Sequence, residues 1–326
     1  MKITVLEPGV WGTVLGILLS KKNTLNFWYE NAGLAAKISK TRENEKLTGI
    51  KIPPEIFISS GLKKAIKDTD LIVIASPSFN FRQILASLKK VDNLPPLLGI
   101  AKGIEKKTLK VPLQVAEEIL GTVSYAHLSG PGFAKEIIEG KLAKEVIASE
   151  DKGLLKKLKE VFDIRPLEVS FTTDLIGVQL AGALKNALAI GISLVEAGIE
   201  NPENKKITKD LVRQGVKEMI KIGKVMGAKK ETFLGPAGKG DLILTSTNPL
   251  SRNFQFGRNL LLNADKMRKE ILERKITVEG FDSVFALYRL GKIYKLDLPM
   301  INEIYKVIYQ KVPPEKTIKN LIKLTK

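Results

Sequence analysis

The chain contains no cysteine and one histidine, His127. The first absence excludes disulfides, thiolate metal sites and a cysteine nucleophile. The second leaves no multi-histidine metal site, so no bound metal is expected. A single His127 near the end of an apolar run reads as structural. Aromatic residues make up only 6% of the chain, and the lysines are dispersed beside glutamates. Nucleic-acid binding needs a basic groove with stacking positions or a recognition helix, so no nucleic-acid partner is expected. Acidic residues are scarce relative to basic ones, 35 against 53, for a net charge of +18. A field of that sign draws small anionic ligands inward in a salt-dependent way. Long uninterrupted apolar runs are missing too. The best candidate, residues 175–197, carries Gln179, Lys185 and Asn186 and is not expected to span a membrane. The apolar stretch after Lys2 is broken by Glu7 and Pro8 and lacks a small-residue cleavage site. These features predict a soluble, cytoplasmic protein whose chemistry rests on Lys, Arg, Asp, Asn, Ser and Thr with an organic cofactor.

What is present points to two domains. The chain has 326 residues, 44% of them hydrophobic, and ~100–200 residues is usual for one domain. Apolar runs at 3–6, 25–29, 71–75, 97–101, 123–128, 145–149 and 167–171 alternate with helix-length segments. Leu71 to Ala75 has no polar alternation, as suits a parallel strand covered on both faces. Near Asp174 the strand signals end. Helices are expected over 174–197, 208–226, 251–262, 264–272, 280–291, 299–309 and 314–324. The predicted fold class is α/β: a Rossmann-like domain with a mostly parallel sheet over 1–172, then an all-helical substrate domain over 173–326.

The turn after the first strand reads Glu7-Pro8-Gly9-Val10-Trp11-Gly12. A dinucleotide-binding turn carries G-x-G-x-x-G, and Gly9 and Gly12 occupy its second and third glycine positions. Gly9 admits the pyrophosphate to the backbone, Gly12 lets helix and strand close up, and the N–H groups at Val10 and Trp11 open the helix. Glu7 replaces the first glycine, which puts cofactor affinity and preference in question. Glu30 ends the second strand where an acid receives the adenosine ribose. It would repel a 2′-phosphate, and this favours NAD over NADP.

Four further segments are informative together: Ala101-Lys102-Gly103-Ile104-Glu105; Ser129-Gly130-Pro131-Gly132-Phe133-Ala134-Lys135-Glu136; the stretch from Gly177 to Lys185-Asn186; and Gly238-Lys239-Gly240-Asp241 through Thr245 to Ser251-Arg252-Asn253. With Trp11-Gly12-Thr13 and Val278-Glu279-Gly280, this ordered set resembles the NAD(P)-dependent glycerol-3-phosphate dehydrogenases over essentially the whole chain. The resemblance implies reversible hydride transfer between dihydroxyacetone phosphate and glycerol-3-phosphate, supply of the glycerol phosphate backbone of phospholipids, and a homodimer.

Reducing a ketone needs a proton donor for the developing alkoxide, and a lysine among apolar neighbours is suited to that because burial lowers its pKa. Lys185, beside Leu184, Ala187 and Leu188, matches the family's catalytic lysine. The resemblance further assigns Lys102 as a second active-site lysine near substrate and cofactor, and Asp241 and Thr245 as the acid and hydroxyl near the reacting carbons. By the same resemblance Asn186 would orient substrate or lysine, Ser251, Arg252 and Asn253 would hold the phosphate with Gly130 nearby, and Ala134, Arg252 and Glu279 would lie towards the cofactor. Asp241 and Thr245, four apart, share a face if that segment is helical. The sequence departs from the family at Glu7, at Gly132 where Ser is common, at 142–144, and over 201–208. Other readings are a two-domain hydroxyacid or ketopantoate-type reductase, which lacks the paired Lys-Asn and Ser-Arg-Asn segments, and a cofactor-binding regulator without catalysis.

Overall fold

The computed structural model describes residues 1–199, 204–273 and 275–325. The chain forms two compact units. One comprises Met1–Ala101 and Pro112–Leu175, and the other comprises Lys102–Val111 and Ile176–Lys326. This differs in two ways from the contiguous division expected at 172/173: the first unit runs on to Leu175, and the ten residues Lys102–Val111 group with the helices.

The first unit is an eight-stranded sheet of β1 (Lys2–Leu6), β2 (Thr24–Trp28), β3 (Phe57–Ser59), β4 (Leu71–Ile74), β5 (Leu97–Gly99), β6 (Tyr125–Ser129), β7 (Ala143–Ala148) and β8 (Leu167–Thr172). Its helices are α1 (Val10–Leu19), α2 (Ala32–Thr41), α3 (Leu62–Ile66), α4 (Phe81–Leu88), α5 (Pro112–Leu120), α6 (Ala134–Ile138) and α7 (Lys152–Val161). The strand order is β3-β2-β1-β4-β5-β6-β7-β8. All pairs are parallel except β6 with β7. The unalternated run Leu71–Ile74 is buried along its whole length, as a strand covered on both faces requires. Strand β3 is only three residues long and carried no sequence signal. Between β1 and β4 the order reverses direction, and ligands of such sheets bind outside the carboxyl ends of the strands at that point. His127 sits in the middle of β6 rather than at its end, fully buried, with Nδ1 3.2 Å from the Tyr125 hydroxyl.

The second unit contains α8 (Leu175–Ala197), α9 (Asn204–Val225), α10 (Lys230–Leu234), α11 (Asp241–Thr247), α12 (Arg252–Leu272), α13 (Glu279–Ile293), α14 (Pro299–Tyr309) and α15 (Pro314–Lys323). Helix α8 passes a length-and-composition test for a membrane span, but 94% of the window that qualifies is buried inside the protein. It is apolar because it is a core helix wrapped on all sides. The two helices expected over 251–272 form one element with a break at Asn263 (φ −159°, ψ 81°). There the Asn263 Oδ1 accepts from Lys266 N at 3.0 Å and caps the second half. Helix α14 is capped from a distance. The fully buried Glu218 of α9 accepts from Met300 N (2.7 Å) and Ile301 N (3.1 Å), and burial pushes its carboxyl up to about 7. The sequence departure noted over 201–208 lies partly outside the described residues.

Candidate active site

Within the helical unit, α8 carries Lys185 and Asn186 on consecutive positions, and α11 opens on Asp241. Asp241 and Thr245 lie one turn apart on α11, so the Thr245 hydroxyl donates to Asp241 Oδ1 at 3.1 Å. Lys185 Nζ donates to the same Oδ1 at 3.0 Å and to Thr245 Oγ1 at 2.8 Å. Lys102 Nζ takes the other oxygen, Oδ2, at 2.7 Å. One carboxylate thus holds two ammonium groups, and Asp241 and Lys185 are 2% and 7% exposed.

Burial is costly for each charge alone, so the balance decides their states. Burial lowers the Lys185 ammonium to about 8. The Asp241 carboxylate pulls the value back up, and the positive Lys102 pushes it down. Burial also pushes Asp241 upward, but the two ammonium charges outweigh it and hold the carboxyl below its usual range. The Lys185 ammonium is therefore held well below its ordinary value, beside a carboxylate held below its own.

A second layer of amides braces this centre. Asn186 Nδ2 donates to the Lys102 carbonyl (2.9 Å) and to Glu279 Oε2 (3.3 Å). Asn186 Oδ1 accepts from Asn253 Nδ2 at 2.8 Å, and Asn253 Oδ1 accepts from Gly280 N at 3.0 Å. A Cβ at Gly280 would lie 2.5 Å from the Asn186 carbonyl oxygen and 2.6 Å from Asn253 Oδ1. Only glycine lets α13 close onto α8 and α12 there. Ser251 is the N-cap of α12, its hydroxyl accepting from Phe254 N at 3.2 Å, while Arg252 opens that helix and is exposed.

In the α/β unit, α1 starts at Val10 directly after β1, and no side chain caps its N-terminus. A Cβ at Gly9 would meet nothing within 4 Å, whereas one at Gly12 would lie 2.5 Å from the Ala75 Cβ. The amide end of α1 is open beside Gly9 and closely packed beneath Gly12, which fits a dinucleotide pyrophosphate. Trp11 Nε1 donates to the Gly132 carbonyl at 3.2 Å. Glu7 adopts the left-handed conformation (φ 51°), and its Oε1 accepts from Glu30 N at 2.5 Å. Burial raises the Glu7 carboxyl, with a further rise from the Glu30 charge. Glu30 is exposed, and its Oε2 accepts from Gln83 Nε2 at 2.8 Å.

The residues expected at the site thus fall into two sets. Lys102, Lys185, Asn186, Asp241, Thr245, Asn253 and Glu279 form one connected network, with Ser251 and Arg252 at the adjoining helix start. Gly9, Val10, Trp11, Gly12, Glu30, Gly130 and Ala134 belong to the α/β unit. There, Gly130 packs against β7 and Ala134 is the first residue of α6. Two expectations are refined. The Asn186 and Asn253 amides are engaged with protein groups and act as braces, and the Ser251 hydroxyl is engaged as a cap. Sequence reading missed this bracing, because its members lie 27 to 93 residues apart in the chain. The pairing of Lys-Asn with Ser-Arg-Asn was the available signal. No group of His, Asp and Glu suited to a metal occurs among the described residues.

Comparison with known proteins divides the chain in sequence order, with 102–111 inside the N-terminal match. Residues 2–155 match the N-terminal family model of NAD-dependent glycerol-3-phosphate dehydrogenase, and residues 174–319 match its C-terminal model. A glycerol-3-phosphate dehydrogenase [NAD(P)+] of Wigglesworthia glossinidia brevipalpis is 36% identical over 329 residues, covering 98% of this chain and 97% of the relative. One from Nitrosomonas eutropha is 32% identical over 324 residues, with coverage of 99% and 97%. The crystal structure of glycerol-3-phosphate dehydrogenase from Coxiella burnetii superposes with a TM-score of 0.91 at 26% identity, covering 98% of both chains. On these matches, which cover nearly the whole chain, the protein belongs to the NAD-dependent glycerol-3-phosphate dehydrogenase family.

Proposed function

We propose that this protein is an NAD(P)-dependent sn-glycerol-3-phosphate dehydrogenase that interconverts dihydroxyacetone phosphate and glycerol-3-phosphate, and so supplies the glycerol phosphate backbone for phospholipid synthesis. The observation that carries the reading is the Lys102–Asp241–Lys185 centre, a buried carboxylate shared by two lysines. The α/β unit binds the dinucleotide at the α1 amides. When bound, the nicotinamide supplies the hydride in one direction and accepts it in the other.

The chain's own residues handle the proton and the phosphate. Asp241 and Thr245 take two of the three Lys185 N–H groups and leave the third for the substrate oxygen. In reduction, Lys185 donates its proton as negative charge develops on the carbonyl oxygen, and in oxidation the neutral amine takes the hydroxyl proton. A pKa of about 8 allows both near neutral pH. Lys102 adds positive potential for an anionic substrate. Arg252, exposed at the first position of α12, binds the phosphate with its guanidinium fork at a helix end that favours anions. Glu30 receives the adenosine ribose and, with Glu7 beside it, favours NAD over NADP.

Pairing of two copies through the helical unit, and a cytoplasmic setting, remain part of this reading on the strength of the family membership. Light scattering of the purified chain tests the first. The activity itself is tested by following NADH and NADPH absorbance with dihydroxyacetone phosphate. Turnover with the phosphate ester and none with glyceraldehyde or ketopantoate is expected. Turnover of ketopantoate alone would overturn the assignment.

A further inference from the structure

The segment Lys102–Val111 belongs to the helical unit, yet it contains neither a strand nor an α-helix. Something must hold it there, because the Lys102 ammonium has to stay on Asp241. At Lys102 itself, Nζ bonds Asp241 and the backbone carbonyl accepts from Asn186. Another tie lies four residues on. Lys106 Nζ sits 4.9 Å from the centre of the Phe285 ring, 5.3 Å from Tyr309 and 5.6 Å from Phe281. It also donates to Asp282 Oδ1 at 3.2 Å. The rings are built to stay in place. Phe281 and Tyr309 pack at 4.9 Å, Phe285 and Tyr309 at 5.6 Å, and the Tyr309 hydroxyl donates to the Phe281 carbonyl at 2.7 Å.

We propose that Lys106 is a positioning residue: seated over Phe281, Phe285 and Tyr309 and paired with Asp282, it pins the Lys102–Val111 loop to α13 and α14 so that Lys102 remains on Asp241. This rests on the dehydrogenase reading for its catalytic consequence, but not for the anchor itself. The ion pair alone is a weak tether, because both side chains are about two-fifths exposed. Three rings around one ammonium add attraction that water screens less. The anchor is placed to matter, since Asp282 lies one turn along α13 from Glu279, which receives the Asn186 amide. The loop and the Asn186 brace therefore share one helix.

The charged groups facing Lys185 are Asp241, Lys102 and Glu279. Freeing the loop would carry the Lys102 charge away from this set and leave Lys185 as the cation bonded to Asp241. Both changes favour the Lys185 ammonium, so the alkaline limb of the reduction rate would move to higher pH. A general loss of stability would not do that.

The test compares wild type, Lys106→Met, Lys106→Arg and Asp282→Asn by amide hydrogen exchange and steady-state kinetics. The Glu105 and Leu109 amides report on the loop, because they donate within it to the Lys110 and Glu105 carbonyls. In Lys106→Met these two amides should exchange about tenfold faster or more, with α8 and α11 unchanged. Turnover should fall several-fold, with the alkaline limb moved up by about half a pH unit or more. Lys106→Arg should restore both, and Asp282→Asn should loosen the loop less than Lys106→Met does. Wild-type protection of the loop in Lys106→Met would overturn the proposal. So would a loosened loop with turnover, KM and pH limb all unchanged. An inactive wild type would sink the dehydrogenase reading, and the exchange data would then decide the anchor alone.

Discussion

At the N-terminus of α1 the groups open to a ligand are backbone amides, whereas in the helical unit the candidate site is built of charged side chains held by one another. The first arrangement needs little sequence: an open Gly9, a closely packed Gly12 and an uncapped helix end. It tolerates Glu7 in place of a glycine because that residue accepts the left-handed conformation and spends its carboxylate on the Glu30 amide. The second arrangement has no such latitude. Asp241 bonds two buried or half-buried lysines at once, and its neighbours come from α8, α11 and the loop after β5. Backbone recognition is robust to substitution, while a buried charge network transmits the loss of any member to the others.

The sharpest break of that contrast is Lys185→Met. It removes the proposed proton donor but keeps an unbranched apolar stem in the core, so the fold should persist while turnover falls by about 10²–10⁴. Stopped-flow or steady-state NADH oxidation, with circular dichroism as the control for folding, measures it. A far smaller effect is expected at the other region. Glu7→Gly should relieve ~1 kcal/mol of left-handed strain and remove a carboxylate next to Glu30. NADPH should then gain about tenfold in kcat/KM relative to NADH. An unchanged ratio would show that Glu7 takes no part in cofactor choice. Smallest is a change away from both regions. Glu218 has a folded-state value of about 7 against 4.5 ordinarily. The native state thus holds a proton that the unfolded state has lost between those values, and stability should fall as pH rises from 4.5 to 7 and then level off. Glu218→Gln should flatten that slope and cost ~1 kcal/mol through the weakened cap of α14, read from thermal melts across pH.

Much of the fold was legible because its signals are local. The buried run Leu71–Ile74, the turn at Gly9–Gly12 and the start of α12 at Ser251 each follow from a few adjacent residues. The i, i+4 spacing of Asp241 and Thr245 likewise foretold a shared face. What stayed hidden depends on distant pairs. Lys102 and Asp241 are 139 residues apart, and Lys106 and Asp282 are 176 apart. No periodicity within 102–111 announces that this loop joins the helical unit. Strand β3 escaped because three residues paired to β2 make no pattern of their own.

In the proposed reaction Lys185, poised by burial and by its shared carboxylate, moves the proton. The pH dependence of kcat/KM for dihydroxyacetone phosphate reduction, measured in wild type and in Lys102→Met, tests it most directly. Wild type should lose activity as pH rises through about 8, and Lys102→Met should retain its reduced activity to higher pH, because removing a neighbouring positive charge favours the Lys185 ammonium. An alkaline limb that stays near 8 in both proteins, or one that lies near 10.5 in wild type, would contradict the account.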